Sequence, residues 1–178
     1  MNLAELTQDR QAEAIAVITR SFGDSEGEAE GELIGKLAGD MLRTTNDDDI
    51  CGFYAEDGEE MVGCILFSRF TLPVDKSAFI LSPVAIVTAR QGQGIGQALI
   101  NHGIDVLQSR GVELVFTYGD PAYYQQVGFQ PITEDVVRAP QPMSLPHGWQ
   151  GQSLTADELR PIEGLTRCVD ALNKPEYW

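Results

Sequence analysis

Thr88-Ala89-Arg90-Gln91-Gly92-Gln93-Gly94-Ile95-Gly96-Gln97 is the stretch that decides the architecture. It leaves the apolar run Ala78 to Val87, which reads as a strand, and passes three glycines. It then enters Gln97 to Arg110, where Leu99, Ile100, Ile104 and Leu107 recur at helical spacing and Gly111 supplies a stop. A strand, a glycine loop and a helix in succession make a site for a phosphate. The first N–H groups of a helix lack intrahelical partners, the helix dipole adds partial positive charge there, and glycine lets an anion approach the backbone without a Cβ in the way. Two other phosphate motifs are excluded. A GxGxxG fingerprint counted from Gly92 needs glycine where Gln97 stands, and no GxxxxGK[ST] occurs in the chain.

Upstream, Ile50 to Glu56 and Met61 to Phe70 are rich in aromatic and β-branched residues and read as two antiparallel strands. The intervening Asp57-Gly58 pair favours a tight hairpin, which sets Cys51 opposite Cys64. Ala14, Ile15, Ile18 and Phe22 mark an amphipathic helix from Gln8 to Phe22, and Leu33, Ile34, Leu37, Ala38, Met41 and Leu42 mark a second one. The Gly- and Glu-rich segment Gly23 to Gly31 reads as the loop between them. Asp24, Glu26, Glu28, Glu30 and Glu32 are expected to form a solvated face, or else an acidic border that attracts a cationic acceptor.

Downstream, Glu113 to Tyr118 is a further strand, so the strand–helix–strand succession implies a parallel pair with a right-handed crossover. Following an antiparallel meander, this gives a mixed, mostly antiparallel sheet flanked by helices, of class α+β. Beyond Gly128 the expectations are a strand within Phe129 to Val137, a Pro/Gly-rich connection over Ala139 to Gly151, and a helix capped by Thr155 and Glu158.

The totals bound the answer. With 178 residues, 43% hydrophobic and 22% charged, the chain suits one globular domain, residues 1–178, with its own core. No stretch approaches the roughly 18 apolar residues of a membrane helix, and Glu5, Asp9 and Arg10 do not suit a signal peptide, so the expected location is cytoplasmic. Cys51, Cys64 and Cys168 show no metal-ligand or disulfide spacing, so no metal is expected. A net charge of -15 disfavours nucleic acid and anionic membranes and favours amine partners. Lys76 to Ile104 contains no Asp or Glu at all, where the average density would place about four.

Gln91-Gly92-Gln93-Gly94-Ile95-Gly96 fits the pattern Q/R-x-x-G-x-G/A, and Tyr124 stands four residues before the pair Gly128-Phe129, just after the crossover. On these two elements the chain resembles the GCN5-related N-acetyltransferase (GNAT) superfamily. Leu81 to Ile86 and Gly119 to Tyr124 bring it nearest to predicted acetyltransferases of the YhbS type, with the likeness running from about Met61 to Pro131. The resemblance implies a sheet splayed between its fourth and fifth strands with acetyl-CoA in the gap. Backbone groups of Val84, Ala85 and Ile86 would meet the pantetheine and thioester, and Gln91, Gly92, Gln93, Gly94, Ile95, Gly96 and Gln97 would hold the pyrophosphate. Tyr124 would protonate the departing thiolate. The chain departs from the family in having Thr88 where proline is frequent, and Gly119-Asp120-Pro121 where a longer loop carries an asparagine.

The activity implied is direct transfer of an acetyl group to a primary amine, on a small molecule or a protein. The alternative is a non-catalytic acyl-CoA sensor or assembly module that keeps the cofactor site. Tyr123 is expected to be a packing residue. His102, on the presumed exposed side of its helix, and His147, in a loop, have no nucleophile at recognisable spacing. Trp149, Tyr177 and Trp178 are assigned no role: aromatic residues near a terminus more often anchor it to the core than shape an acceptor pocket or a homodimer contact.

Overall fold

A strand that the hydrophobic pattern does not announce, β1 (Asn2–Glu5), opens the chain in the computed structural model, which describes residues 1–178. Then follow α1 (Gln11–Glu26), α2 (Glu28–Thr44), β2 (Ile50–Asp57), β3 (Glu60–Arg69), β4 (Ala78–Ile86), α3 (Ile95–Ser109), β5 (Leu114–Tyr118), the one-turn α4 (Pro121–Tyr124), β6 (Gln130–Pro131) and β7 (Trp149–Ser153). The strands form one mixed sheet in the order β1-β2-β3-β4-β5-β7-β6. β4 and β5 are parallel, as the crossover requires, while β1–β2, β5–β7 and β6–β7 are antiparallel. The β4–β5 ladder runs from Ala78↔Leu114 to Leu81↔Thr117, and β4 continues to Ile86 beyond it.

Two compact units divide the chain: Met1–Phe67 with Pro83–Gly103, and Ser68–Ser82 with Ile104–Trp178. In the first, α1 and α2 pack on each other through residues expected to form a loop. α1 runs on to Glu26, Gly27 breaks the helix at φ 104°, and α2 starts at once with Glu28 and Glu30 in its first turn. Those carboxylates suit the positive end of a helix. Gly31 and Gly35 are there for contact: a Cβ on Gly31 would meet the Thr19 carbonyl oxygen at 2.5 Å, and one on Gly35 would meet Thr19 Oγ1 at 2.0 Å. Glycine content alone does not separate a close helix crossing from a loop.

The hairpin turn also shifts by one residue. β2 runs through Asp57, and Gly58 and Glu59 make the turn, with Gly58 at φ 68°. Glycine in the first central position suits the mirror-image turns that match strand twist. The register that would set Cys51 against Cys64 is therefore displaced, and all three cysteines are free thiols.

In the second unit the core is aromatic. Phe70, Phe116 and Trp149 are fully buried, with centroids 5.0 Å apart for Phe70–Phe116 and 5.5 Å for the stacked Phe116–Trp149 pair. Trp178 stacks on Tyr118 at 5.7 Å, meets Trp149 edge-on and donates its Nε1–H to the Leu172 carbonyl, which ties the last residue to this core. Past Gly128 the expectations give way. Only Gln130–Pro131 of Phe129 to Val137 is strand, and β7 falls at Trp149–Ser153. No helix follows Thr155, whose hydroxyl instead accepts the Asp157 N–H in a local turn. A capping signature without an apolar stripe behind it has nothing to hold a helix in place.

Candidate functional site

The glycine loop lies in the first unit. β4 ends at Ile86, and a turn of 3-10 helix (Thr88–Arg90) follows, closed by Arg90 N–H to the Val87 carbonyl at 2.7 Å and Gln91 N–H to that of Thr88 at 3.3 Å. The chain then passes Gly92 at φ 72° and Gly94 at φ 78° before α3 begins at Ile95. These left-handed angles are why glycine is used twice within three residues. A Cβ on Gly92 would meet nothing within 4 Å, so the outer face of the loop is open. Ile95, 5% exposed, pins the helix start to the core.

Loop side chains point back along the chain. Gln91 donates its Nε2–H to the Ile86 carbonyl at 3.0 Å, and Gln93 donates to that of Ala89 at 3.4 Å. They brace the turn ahead of α3. Arg90 pairs with Asp57, and Thr88 Oγ1 donates to Asp24 Oδ2 at 2.8 Å. Asp24, expected in a solvated loop, thus lies in α1 and secures the approach to the glycines. Val84, Ala85 and Ile86 lie in the stretch of β4 beyond its pairing with β5. Backbone groups on an unpaired strand edge can pair with the amides of an extended ligand.

Tyr124 lies in the second unit, at the end of α4. That helix is set by Asp120, whose Oδ1 accepts the Ala122 N–H at 2.9 Å, with Pro121 in the first position. Its ring packs edge-on against Tyr123 and Phe129, with centroids 5.1 and 5.8 Å away. The four-residue spacing has a physical reason. Gly128, at φ 94°, reverses the chain after the helix and lets Phe129, fully buried, come back against the tyrosine ring. On another side lies Gly119, where a Cβ would stand 2.8 Å from Tyr124 Cε2.

Burial pushes the Tyr124 phenol up to about 12, with the Thr117 hydroxyl drawing it down and the nearby Tyr123 and Asp120 adding to the rise. Part of the residue surface stays accessible even so. At neutral pH this phenol is therefore protonated and suits the role of proton donor. Tyr123 is also raised by burial.

The structure brings the glycine loop together with Val84 to Ile86 in one unit and holds Tyr124 in the other. It also shows two partners of the Tyr124 segment that sequence reasoning missed, Thr117 and Gln150. Thr117 is a lone threonine in an apolar strand and Gln150 one of several polar residues in β7, and neither pattern gave a signal. His102, expected on an exposed face, packs edge-on against Phe53 at 5.6 Å. No group of three or more His, Cys, Asp or Glu side chains is gathered to hold a metal ion, and no helix is long and apolar enough to cross a membrane.

Comparison with known proteins finds the same likeness. Residues 48–131 match the acetyltransferase (GNAT) domain. The chain is 38% identical to the uncharacterized N-acetyltransferase YjhQ of Escherichia coli K12 over 115 residues, which cover 61% of this chain and 63% of that protein, under two thirds of its length. It is 29% identical to the uncharacterized N-acetyltransferase YhbS of the same strain over 125 residues, covering 69% and 74%. Among solved structures, the E. coli GNAT-family N-acetyltransferase YhbS in complex with CoA superposes with a TM-score of 0.79 at 24% identity, covering 97% of this chain and 92% of that one. A GNAT-family acetyltransferase from Brucella melitensis in complex with acetyl-CoA gives 0.75 at 22% identity, covering 96% and 97%. These two superpositions establish the fold.

Proposed function

From the match of residues 48–131 to the GNAT domain and the likeness to YjhQ and YhbS, we propose that this chain is a GNAT acetyltransferase that transfers the acetyl group of acetyl-CoA directly to a primary amine, with residues 1–178 acting as one catalytic domain. One observation carries the cofactor assignment. Gly92 and Gly94 take left-handed angles just before α3, the side of Gly92 is open, and Gln91 and Gln93 turn back onto carbonyls of the preceding turn, an arrangement that suits a diphosphate held by backbone donors of the helix start. In this reading Gln91 to Gln97 grip the pyrophosphate, Gln91 and Gln93 by bracing the loop, and the edge of β4 at Val84 to Ile86 receives the pantetheine amides. A backbone N–H of that edge would also stabilise the thioester oxygen as it gains charge.

Acetyl-CoA supplies the activated acyl carbon. Tyr124 supplies the proton for the departing sulfur, and its raised pKa keeps that proton in place until it is needed. Direct transfer fits the cysteines. Cys64 and Cys168 are buried, and burial pushes both thiols up to about 12, far from a usable thiolate. The acceptor amine must shed its own proton, since a lysine-like amine with pKa about 10.4 is mostly charged at pH 7. A net charge of -15 favours cationic acceptors, whether small molecules or proteins.

Calorimetry with CoA and acetyl-CoA tests the first half, and absence of binding refutes it. An unbiased screen of metabolite and peptide amines with labelled acetyl-CoA identifies the acceptor and separates an enzyme from a sensor, which binds without releasing coenzyme A. Tyr124→Phe is expected to lower turnover by about 100-fold with cofactor affinity kept. Loss of affinity with turnover intact would reverse the assignment.

A further inference from the structure

The β5–β7 pairing sets Thr117 opposite Gln150, and both side chains are fully buried. Thr117 Oγ1 donates to the Leu81 carbonyl at 3.0 Å, at the last rung of the parallel β4–β5 ladder. A threonine has one hydroxyl proton. With that proton on Leu81, the oxygen keeps lone pairs for the Tyr124 hydroxyl, with which it interacts. Gln150 Nε2 donates to the carbonyls of Gly119 and Gly148, each at 3.2 Å. Both of its hydrogens are spent, and turning the amide over would set oxygen against two carbonyls, so its orientation is fixed.

Gly119 is the residue whose Cα faces the Tyr124 ring, and its own N–H goes to the Gly148 carbonyl at 3.0 Å. Gln150 therefore staples the elbow between β5 and α4 to β7. Its Oε1 is buried without a partner. A buried amide kept with one end unsatisfied costs stability, and a leucine or methionine would fill the space more cheaply. What the amide provides is position.

We propose that Thr117 and Gln150 are positioning residues that together form the seat of Tyr124: Gln150 fixes the elbow that sets the ring, and Thr117 sets the direction of the phenol proton. The inference rests on Tyr124 being the acid of the proposed reaction. As the amine nitrogen bonds to the acyl carbon, the carbon–sulfur bond breaks and sulfur takes the Tyr124 proton. The Thr117 hydroxyl turns from Leu81 to donate to the phenolate, and water carrying the proton shed by the amine restores the phenol. Thr117 keeps its own proton throughout, and its share is to lower the cost of the transient phenolate.

Thr117→Val keeps the shape and removes the hydroxyl, and Thr117→Ser keeps the hydroxyl. The protein is labelled with 3-fluorotyrosine, whose more acidic phenol titrates where the fold survives, and the Tyr124 resonance is assigned by its loss in Tyr124→Phe. In Thr117→Val that resonance is expected to titrate about one pH unit higher or more. Coenzyme A release should fall about tenfold with KM for acetyl-CoA unchanged. Thr117→Ser should restore both. An unchanged titration, or a shifted one with unchanged turnover, overturns the seat.

Gln150→Met, which keeps volume and removes both N–H donors, decides the matter if Thr117→Val fails to fold. Turnover should drop with CoA affinity kept, and full turnover overturns the inference. Full turnover in Tyr124→Phe would instead refute the acid assignment itself.

Discussion

Gly119→Ala isolates the geometry of the phenol. Gly119 has no positive φ, so the backbone accepts alanine, and the whole effect comes from contact. The new Cβ would stand 2.8 Å from Tyr124 Cε2, 3.6 Å from Cδ2 and 3.7 Å from Cζ. Ordinary carbon contacts begin at about 3.5 Å, so ring or elbow must move by roughly 0.7 Å. Phe129 and Tyr123 already pack against the ring, and the elbow is held by Gln150, so neither yields freely. Overpacking of this kind costs about 1–3 kcal/mol of stability. A displacement near 1 Å at a reacting group costs up to about 100-fold, so turnover should fall by about 10- to 50-fold. CoA affinity should stay within about twofold, because the glycine loop lies in the other unit. The assay pairs steady-state coenzyme A release, using an amine from the acceptor screen, with calorimetric titration of CoA. A folded variant with full turnover would refute the placement of Tyr124, and a loss of affinity matching the loss of turnover would refute the division of labour.

Other outcomes follow from single features. Gly94→Ala forces a φ of 78° on an L-residue whose Cβ would meet only Gln97 Oε1, at an ordinary 3.8 Å, so stability should fall by about 1 kcal/mol while CoA binding weakens by about tenfold or more in calorimetry. A variant that binds CoA normally would remove the loop from the site. Arg10 holds the Glu13 carboxyl below its usual range, and Asn2 together with Arg10 does the same for Glu56, so their contribution is present at neutral pH and is lost as pH falls through the carboxylate range. Acid titrations of thermal stability should show a shallower decline in Arg10→Gln than in the wild type, and an identical slope would contradict this. A thiol reagent should label Cys51, half-buried, in the native protein and reach Cys64 and Cys168 only after denaturation. Rapid labelling of all three at neutral pH would contradict their burial.

Legibility followed the range of the interactions. The loop from Thr88 to Gln97 was readable because its chemistry is local: glycines at φ 72° and 78° and the start of one helix lie within a few residues of each other. The Tyr124 element was readable for the same reason, since Gly128 and Phe129 act on a ring four residues back. The segment from Gly23 to Gly31 misled, because Gly31 closes on Thr19 and Gly23 in a contact that only the α1–α2 crossing creates, and Gly27 alone breaks the helix. β1 and β7 escaped because Asn2–Glu5 and Trp149–Ser153 carry little β-propensity and are strands through their partners.

By itself, then, the sequence determined the order of the central elements, the glycine turn before α3 and the tyrosine, since each depends on backbone angles and neighbours within one turn of chain. Only the tertiary structure decided that Thr117 and Gln150 meet beside that tyrosine. They are 33 residues apart and become neighbours solely through the β5–β7 register. Pairing register is a property of the whole sheet, set where buried faces must match, and no local run of residues encodes it.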